Sequence, residues 1–162
     1  MNNYIDLNRK FIKYDSSSYN EQDDWTYSLS SWNATITWED ILKYKCSIIL
    51  AEAGSGKTKE LQHMTDKLKM QGKKAFFCNI SNLATMSSFG DAIGFINQQE
   101  FVAWKQGDEP GYFFLDSVDE AKLREPKDFE IALRKFANAL GSQLIRAHIV
   151  ISSRPVRVAS YC

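Results

Sequence analysis

The sequence predicts an α/β fold, a three-layer α/β/α sandwich built around a mostly parallel sheet. Four short apolar runs predict its strands, because they are rich in the β-branched and aromatic residues that buried strands favour. Helical spacing of apolar residues between these runs predicts the layers on the faces of the sheet. The 162 residues, 44% of them hydrophobic, suffice for one domain with a sizeable core. The four runs are residues 47–50, 74–80, 112–116 and 148–151.

The first segment, residues 1–36, has no sustained period and is predicted to be an aromatic-rich, irregular lead-in to a core domain over residues 37–162. Its many tyrosines and tryptophans argue against disorder, since such residues have apolar surface to bury. Thr37, followed three positions later by Asp40, approximates a capping box and predicts a short helix over residues 38–44.

A glycine-rich loop follows the first apolar run. The run 47–50 predicts a buried strand, and apolar residues at helical spacing predict a helix over residues 57–70. Gly72 suits the left-handed position just beyond the end of a helix. Strand, loop and helix in this order are the context that a phosphate-binding loop requires. The loop consists of Ala51, Glu52, Ala53, Gly54, Ser55, Gly56, Lys57 and Thr58.

Each residue type in this loop has a role in binding a phosphate. Gly54 and Gly56 lack a Cβ, so the backbone can turn successive N–H groups toward phosphate oxygens. Lys57 supplies a mobile positive charge for the β- and γ-phosphates, and the Thr58 hydroxyl is placed to ligate Mg²⁺. Ala51 stands where the usual pattern has glycine. The alternative is a structural turn that happens to contain Gly-Lys-Thr.

Further along the chain, strands and helices continue to alternate. The run 74–80 predicts a second buried strand. A helix is predicted over residues 126–140, where apolar side chains form one stripe and Gly141 supplies the stop.

Residues 81–108 have a weaker pattern. A helix is predicted over residues 89–98, with Ile93 and Ile96 facing inward. Residues 100–104 either extend this helix or end it.

The run 112–116 ends in a carboxylate, Asp116, which is typical of a Walker B element. At the carboxyl end of a parallel strand this group would lie beside the loop, where it could hold Mg²⁺ together with Thr58. Asp119 and Glu120 follow, and one of them could orient or deprotonate the water that attacks a γ-phosphate. The alternative is a solvated acidic turn that caps the next helix.

Polar side chains also follow the last apolar run. Ser152, Ser153 and Arg154 come directly after residues 148–151, at the matching edge of the sheet. Hydroxyl groups and a guanidinium there are candidates for contacting a γ-phosphate, with Arg154 able to neutralise anionic oxygens. A surface turn ending in Pro155 is the alternative.

Charge and terminal pattern exclude several kinds of partner. Residues 1–40 contain 3 basic and 7 acidic side chains, a net charge of −4. Residues 41–162 contain 17 basic and 13 acidic side chains, a net charge of +4. Neither value is the concentrated basic face of a nucleic-acid binder, so no direct nucleic-acid partner is expected. The N-terminus lacks a signal-peptide pattern and no apolar run reaches membrane-spanning length, so we expect no membrane association and a cytoplasmic location.

The cysteines suggest neither a metal centre nor a disulfide framework. Cys46, Cys78 and Cys162 are far apart and lack CxxC spacing. The first two lie beside or within predicted strands, where a free thiol usually behaves as a small buried hydrophobe.

Three segments together resemble the STAND class of P-loop ATPases, in particular the bacterial NACHT-like proteins. The phosphate loop alone marks only the superfamily, whereas Asp-Ser-Val-Asp-Glu and Ser-Ser-Arg-Pro are more specific features. The resemblance covers residues 37–155. Its three segments are Ala51 to Thr58, Phe113-Phe114-Leu115-Asp116-Ser117-Val118-Asp119-Glu120 and Ile151-Ser152-Ser153-Arg154-Pro155.

The resemblance implies a P-loop NTPase core that binds ATP and Mg²⁺ and hydrolyses the γ-phosphate. It also implies a homo-oligomer on activation and a role in signalling or defence, including defence against phage. The implied strand order is 1-4-3-2, with the place beside strand 1 vacant. Family members continue past the position of Pro155 into a fifth core strand, a lid and usually a sensor, so the chain is expected to be a fragment or a truncated form.

Two other functions fit the same residues. One is a nucleotide-binding switch that binds ATP or ADP with hardly any turnover. The other is a small-molecule or nucleotide kinase, which would need a lid with several arginines; only Arg124 and Arg134 are near enough in sequence to suggest one. The sequence lacks the Asn-Lys-x-Asp segment used by guanine-specific proteins, so adenine is favoured.

Overall fold

The structure is a computed structural model that describes residues 9–13, 35–116 and 126–154. Its contacts divide the chain into two units, Met1–Lys43 and Tyr44–Cys162. The second unit contains the sheet and every residue of the predicted loop.

In the first unit, two separated pieces of chain meet. Phe11 and Ile36 form an isolated antiparallel bridge, with N···O distances of 2.8 and 3.0 Å. The ring of Phe11 meets the ring of Trp38 edge-on, with centroids 5.0 Å apart. Phe11, the aromatic residue of the lead-in that lies within the described ranges, therefore packs against another ring.

Helix α1, Trp38–Ile41, begins with the predicted capping box. Thr37 accepts from the backbone N–H of Asp40, and the Asp40 carboxylate accepts from the backbone N–H of Thr37. Hydrogen bonds from the Lys43 ammonium and from Thr37 hold the pKa of Asp40 well below its usual range. The helix is one turn long, and ends before the predicted residue 44.

The second unit is built on one parallel sheet, as predicted. Its four strands pair in the order β1-β4-β3-β2, and every pairing is parallel. The fold class and the strand order are therefore confirmed. The strands are β1 Cys46–Leu50, β2 Lys74–Asn79, β3 Gly111–Asp116 and β4 Ala147–Ser153.

Helices connect the strands. The helix predicted over 57–70 and the one predicted over 126–140 have the expected bounds, and Gly72 and Gly141 adopt φ values of 75° and 56° after their ends. Within the described ranges, no helix is long and apolar enough to cross a membrane. The helices are α2 Lys57–Met70, α3 Ile80–Thr85, α4 Phe89–Ile93, α5 Phe95–Gln106 and α6 Pro126–Leu140, followed by the 3₁₀ helix Gly141–Arg146.

The two faces of the sheet are covered by different helices. Phe76, Phe113 and Ile149 are neighbours across three strands and point to one face, where α3 to α6 complete the main core. Side chains alternate along a strand, so Phe114 and Val150 point to the other face. Helix α2 packs against β2 and β3, and its buried residues lie outside the main core, as expected for the second face.

Aromatic rings dominate the main core. They pack edge-on or stacked, with centroids about 5.0 to 6.3 Å apart, geometries that add about 0.5–1.5 kcal/mol per pair beyond burial. These packed rings fix the positions of β2 and β3. The core rings are Phe76, Phe89, Phe101, Trp104, Phe113 and Phe136.

The apolar run of the first strand predicted burial, which is wrong, whereas the vacant place beside strand 1 in the implied order 1-4-3-2 predicted an exposed edge. In β1, Ile48 is 63% and Leu50 41% exposed. Among the described residues β1 pairs with β4 alone, so it lies at an edge of the sheet. Cys46 at its start is exposed for the same reason, whereas Cys78 in β2 is buried as predicted.

The single helix predicted over residues 89–98 is also wrong. Gly94, with φ of 82°, separates α4 from α5, because a left-handed residue ends one helix and starts the next in a new direction. Ile93 is buried as expected, but Ile96 is 74% exposed.

Candidate functional site

Polar side chains gather where the parallel strands end. Asn79 of β2 pairs in register with Asp116 of β3, and Asp116 with Ser152 of β4. Ile49 of β1 continues this row, so the chain enters the glycine-rich loop, residues 51–58, at the same edge. All four strands are parallel, so their carboxyl ends meet there, the usual position of a ligand site in such sheets.

The glycine-rich loop has the backbone conformation that its glycines predict. Gly54 and Gly56 have φ values of 73° and 82°, in the left-handed region that other residues rarely adopt. Gly56 is the N-cap of α2, so the first N–H groups of that helix open onto the loop. The backbone N–H of Ala51 donates to the carbonyl of Ser153 at 3.1 Å, which fixes the start of the loop to the end of β4.

Lys57 folds back over this loop. Its ammonium donates to the carbonyl oxygens of Ala51 and of Glu52, the latter at 2.7 Å. These contacts hold a positive charge against the inner side of the turn. An anion drawn to the N–H groups at the start of α2 would therefore also meet this ammonium.

Thr58 joins the loop to the end of β3. Its hydroxyl donates to Oδ2 of Asp116 at 2.7 Å, across 58 residues of sequence. Asp116 is only 3% exposed. A hydroxyl has one proton and two lone pairs, so Thr58 keeps lone pairs that a cation could use.

Ser152 contacts the same carboxylate from the other side. Its hydroxyl donates to Oδ1 of Asp116 at 2.6 Å, and its side chain is fully buried. The single proton of this hydroxyl is therefore directed at Asp116. Ser153, the other hydroxyl considered as a phosphate contact, donates to the carbonyl of Arg154 at 3.2 Å.

The other predicted site residues are only partly described. Arg154 follows β4 directly and is half-buried at this edge. Asp119 and Glu120 lie outside the described residues, as does Arg124. Arg134 is described, and its guanidinium bonds to Glu130 at 2.6 Å on an exposed part of α6.

The oxygen ligands at this edge suit Mg²⁺. Within the described residues, no group of three or more His, Cys, Asp or Glu side chains could hold a metal ion. Mg²⁺ does not need one, because it keeps several waters and binds proteins through one or two oxygen ligands beside a phosphate. Thr58 and Asp116, already in contact, fit that requirement.

Asn79 was not singled out from the sequence, although it ends β2 in register with Asp116. Its side-chain oxygen accepts from the backbone N–H of Ser81 at 3.0 Å and from the Ser81 hydroxyl at 2.6 Å. Asn79 therefore caps α3. The signal in the sequence that could have identified it is a polar residue at the end of an apolar run.

The sequence has no match among protein-family models and none among the curated proteins. No residue role therefore comes to this chain from a relative. The roles of Lys57, Thr58 and Asp116 rest on their chemistry and contacts.

Proposed function

We propose that this chain binds ATP with Mg²⁺ at the carboxyl edge of its sheet. The observation that carries the proposal is the 2.7 Å hydrogen bond between Thr58 and Asp116. It brings together the two protein oxygens that a P-loop protein uses around its metal, from segments that were identified separately in the sequence.

The phosphates would bind residues 51–58. Positive φ at Gly54 and Gly56 supports an anion-binding turn, and α2 adds its N-terminal N–H groups and dipole. Lys57 would shift from the loop carbonyls to the β- and γ-phosphate oxygens. That exchange replaces two neutral acceptors with charged ones, and charge-assisted hydrogen bonds are the stronger kind.

The metal would be held by Thr58 and Asp116. When bound, Mg²⁺ neutralises charge on the β- and γ-phosphate oxygens. Thr58 would offer an oxygen lone pair to the metal while its hydroxyl keeps its proton and continues to donate to Asp116. The buried Asp116 carboxylate would hold the metal directly or through one of its water ligands.

We further propose that the chain is the ATP-binding core of a STAND-class, NACHT-like ATPase in signalling or anti-phage defence, with a homo-oligomer formed on activation. Asp119 or Glu120 would take a proton from the attacking water. The water oxygen bonds to the γ-phosphorus as the bond to the bridging oxygen breaks, which leaves ADP and inorganic phosphate. Arg154 would neutralise charge on the transferred group.

Phosphate release from ATP by the purified protein tests this function. Steady turnover is expected to be near background, so release is followed under single-turnover conditions. There we expect slow, Mg²⁺-dependent release that stops in Lys57→Ala and is faster with ATP than with GTP. Release that is equal in the wild type and in Lys57→Ala would contradict the ATPase assignment. Release from both nucleotides at the same rate would contradict the preference for adenine.

A further inference from the structure

We propose that Ser152 is a positioning residue for the metal site: its buried hydroxyl fixes the Asp116 carboxylate in the orientation that Thr58 and Mg²⁺ require. The inference rests on the proposed function, because it assigns a role within the same metal site. The sequence predicts a different role for Ser152, a direct contact with the γ-phosphate.

The contact is built into the sheet. Ser152 and Asp116 are direct neighbours in the register of β3 and β4. Adjacent strands lie about 4.8 Å apart, so two short side chains on one face can bond across the gap. Their 2.6 Å separation lies in the range of about 2.5–2.7 Å that is typical of a hydroxyl bonded to a carboxylate.

Two hydroxyl groups constrain the carboxylate more than one could. The terminal torsion of an aspartate has a broad, two-fold energy profile, so a carboxylate held at one oxygen can still turn. Ser152 holds Oδ1 and Thr58 holds Oδ2, on opposite sides of the group. The plane of the carboxylate is then fixed, and Oδ2 stays directed at the Thr58 oxygen.

Burial excludes a direct contact between Ser152 and the nucleotide. Its side chain has 0% exposure, and its one proton is directed at Asp116. Ser152 therefore acts through Asp116. Its loss should change the response to Mg²⁺ and leave metal-free nucleotide binding as it is.

The test is the Mg²⁺ concentration that half-saturates binding of a fluorescent ATP analogue. Partners of a metal ligand typically contribute about 10–100-fold to metal affinity, so Ser152→Ala should raise this concentration by about tenfold or more. Ser152→Cys keeps the size but only a weak donor, and it should show the same rise. Ser152→Thr keeps the hydroxyl and should restore the wild-type value, and binding of the analogue in EDTA should be equal in all variants.

Thr65→Val is the matched control. Thr65 is also buried, and its hydroxyl donates to the Leu61 carbonyl within α2. Its loss should leave the Mg²⁺ response unchanged. An equal shift in Thr65→Val and Ser152→Ala would overturn the inference, because both would then reflect general loss of stability.

Asp116→Asn separates this inference from the proposed function. If Asp116→Asn loses the Mg²⁺ response while Ser152→Ala and Ser152→Cys keep the wild-type one, the positioning role of Ser152 is wrong and the metal site stands. If Asp116→Asn also keeps the wild-type response, the proposed metal site itself is wrong.

Discussion

Asp116 is a buried carboxylate that two hydroxyl groups hold in place. Burying an ionised carboxylate is costly unless it is hydrogen-bonded, and the donors are Thr58 at 2.7 Å and Ser152 at 2.6 Å. The same arrangement leaves the lone pairs of Thr58 beside a carboxylate of fixed orientation. A cation reaching this edge would meet oxygens already in position.

Loss of the Lys57 ammonium should weaken the binding of a nucleoside triphosphate. A hydrogen bond to a charged group contributes about 1.5–3 kcal/mol, so Lys57→Ala should weaken binding by at least ~1.5–3 kcal/mol. The fold should persist, because Lys57 lies outside the buried core and its ammonium donates to carbonyl oxygens of the loop. Isothermal titration with ATP measures the change.

Lys59→Ala is the control for this variant. Lys59 is an exposed lysine two positions further along α2, so its removal makes the same change in net charge. Its affinity for ATP should match that of the wild type. Equal affinities of Lys57→Ala and the wild type would mean that the loop is structural only.

Variants at Glu120 and Asp119 should separate ATP binding from ATP hydrolysis. Glu120→Gln removes the group proposed to accept a proton from the attacking water, so it should bind ATP normally and lose turnover. Asp119→Asn provides the comparison, since only one of the two carboxylates needs that role. Single-turnover assays resolve the two variants, and hydrolysis retained in both would remove these residues from the mechanism.

Cys78 should be chemically inert in the folded protein. Burial raises the pKa of its thiol from 9.0 to about 12, and the side chain is 1% exposed. The thiol ionises more readily when unfolded, so its contribution to stability is present below pH 9.0 and is lost as the pH rises toward about 12. Alkylation at pH 8, mapped by mass spectrometry, should label the exposed Cys46 and leave Cys78 unmodified until denaturant is added. Equal labelling of both in the native protein would show that β2 is not buried as described.

Trp104 connects helix α5 to the segment just before β3 by a hydrogen bond. The indole N–H donates to the carbonyl of Glu109 at 2.9 Å, and the Arg146 guanidinium lies 4.2 Å from the centre of the ring. Arg146 also donates to the carbonyls of Trp104, at 2.6 Å, and of Glu109. These contacts seat the ring directly over Gly111, the first residue of β3.

Gly111→Ala should therefore destabilise the sheet. A Cβ at this position would lie 2.6 Å from the Trp104 ring and 2.8 Å from the Phe113 ring. Gly111 is paired with both β2 and β4, so its backbone has little room to move. Overpacking of this kind costs about 1–3 kcal/mol, which should appear as a lower free energy of unfolding in urea.

Gly107→Ala is the comparison. Its nearest neighbours are two carbonyl oxygens at 3.8 Å, so the added methyl group meets ordinary contacts. Its free energy of unfolding should stay within about 0.5 kcal/mol of the wild type. Unfolding of both variants at the same urea concentration would show that the Trp104 ring is not held over β3.

Local patterns predicted the elements wherever the pattern was strong. Helix α2 and helix α6 each have an apolar stripe and a following glycine, and both were found with their predicted bounds. The segment between β2 and β3 was predicted poorly, because Gly94 was not recognised as a break between helices. The apolar run of β1 alone pointed to burial, because a run does not reveal which strands pair; the exposed edge followed only from the strand order that the resemblance implied.

The function of the site stays a prediction, but one contact within it can be compared with the sequence. A phosphate loop and a carboxylate at a strand end are local signals, and the structure brings Thr58 and Asp116 together. The contact between Ser152 and Asp116 was not predicted, since it joins residues 36 positions apart and depends on the register of β3 and β4. Asp116 and Ser152 are equally far from the first residues of their strands, Gly111 and Ala147, but that alignment is visible only once the register is known.

Calorimetric titration of the purified protein with ATP, with and without Mg²⁺, is the most direct test of the proposed nucleotide site. The described edge combines a turn with two positive-φ glycines, an ammonium and the adjoining oxygens of Thr58 and Asp116, so we expect one site per chain that binds more tightly with Mg²⁺ than in EDTA. Asp116→Asn should bind equally in both conditions. Absence of heat in both conditions, with a folded protein, would contradict the proposal that this edge is a nucleotide site.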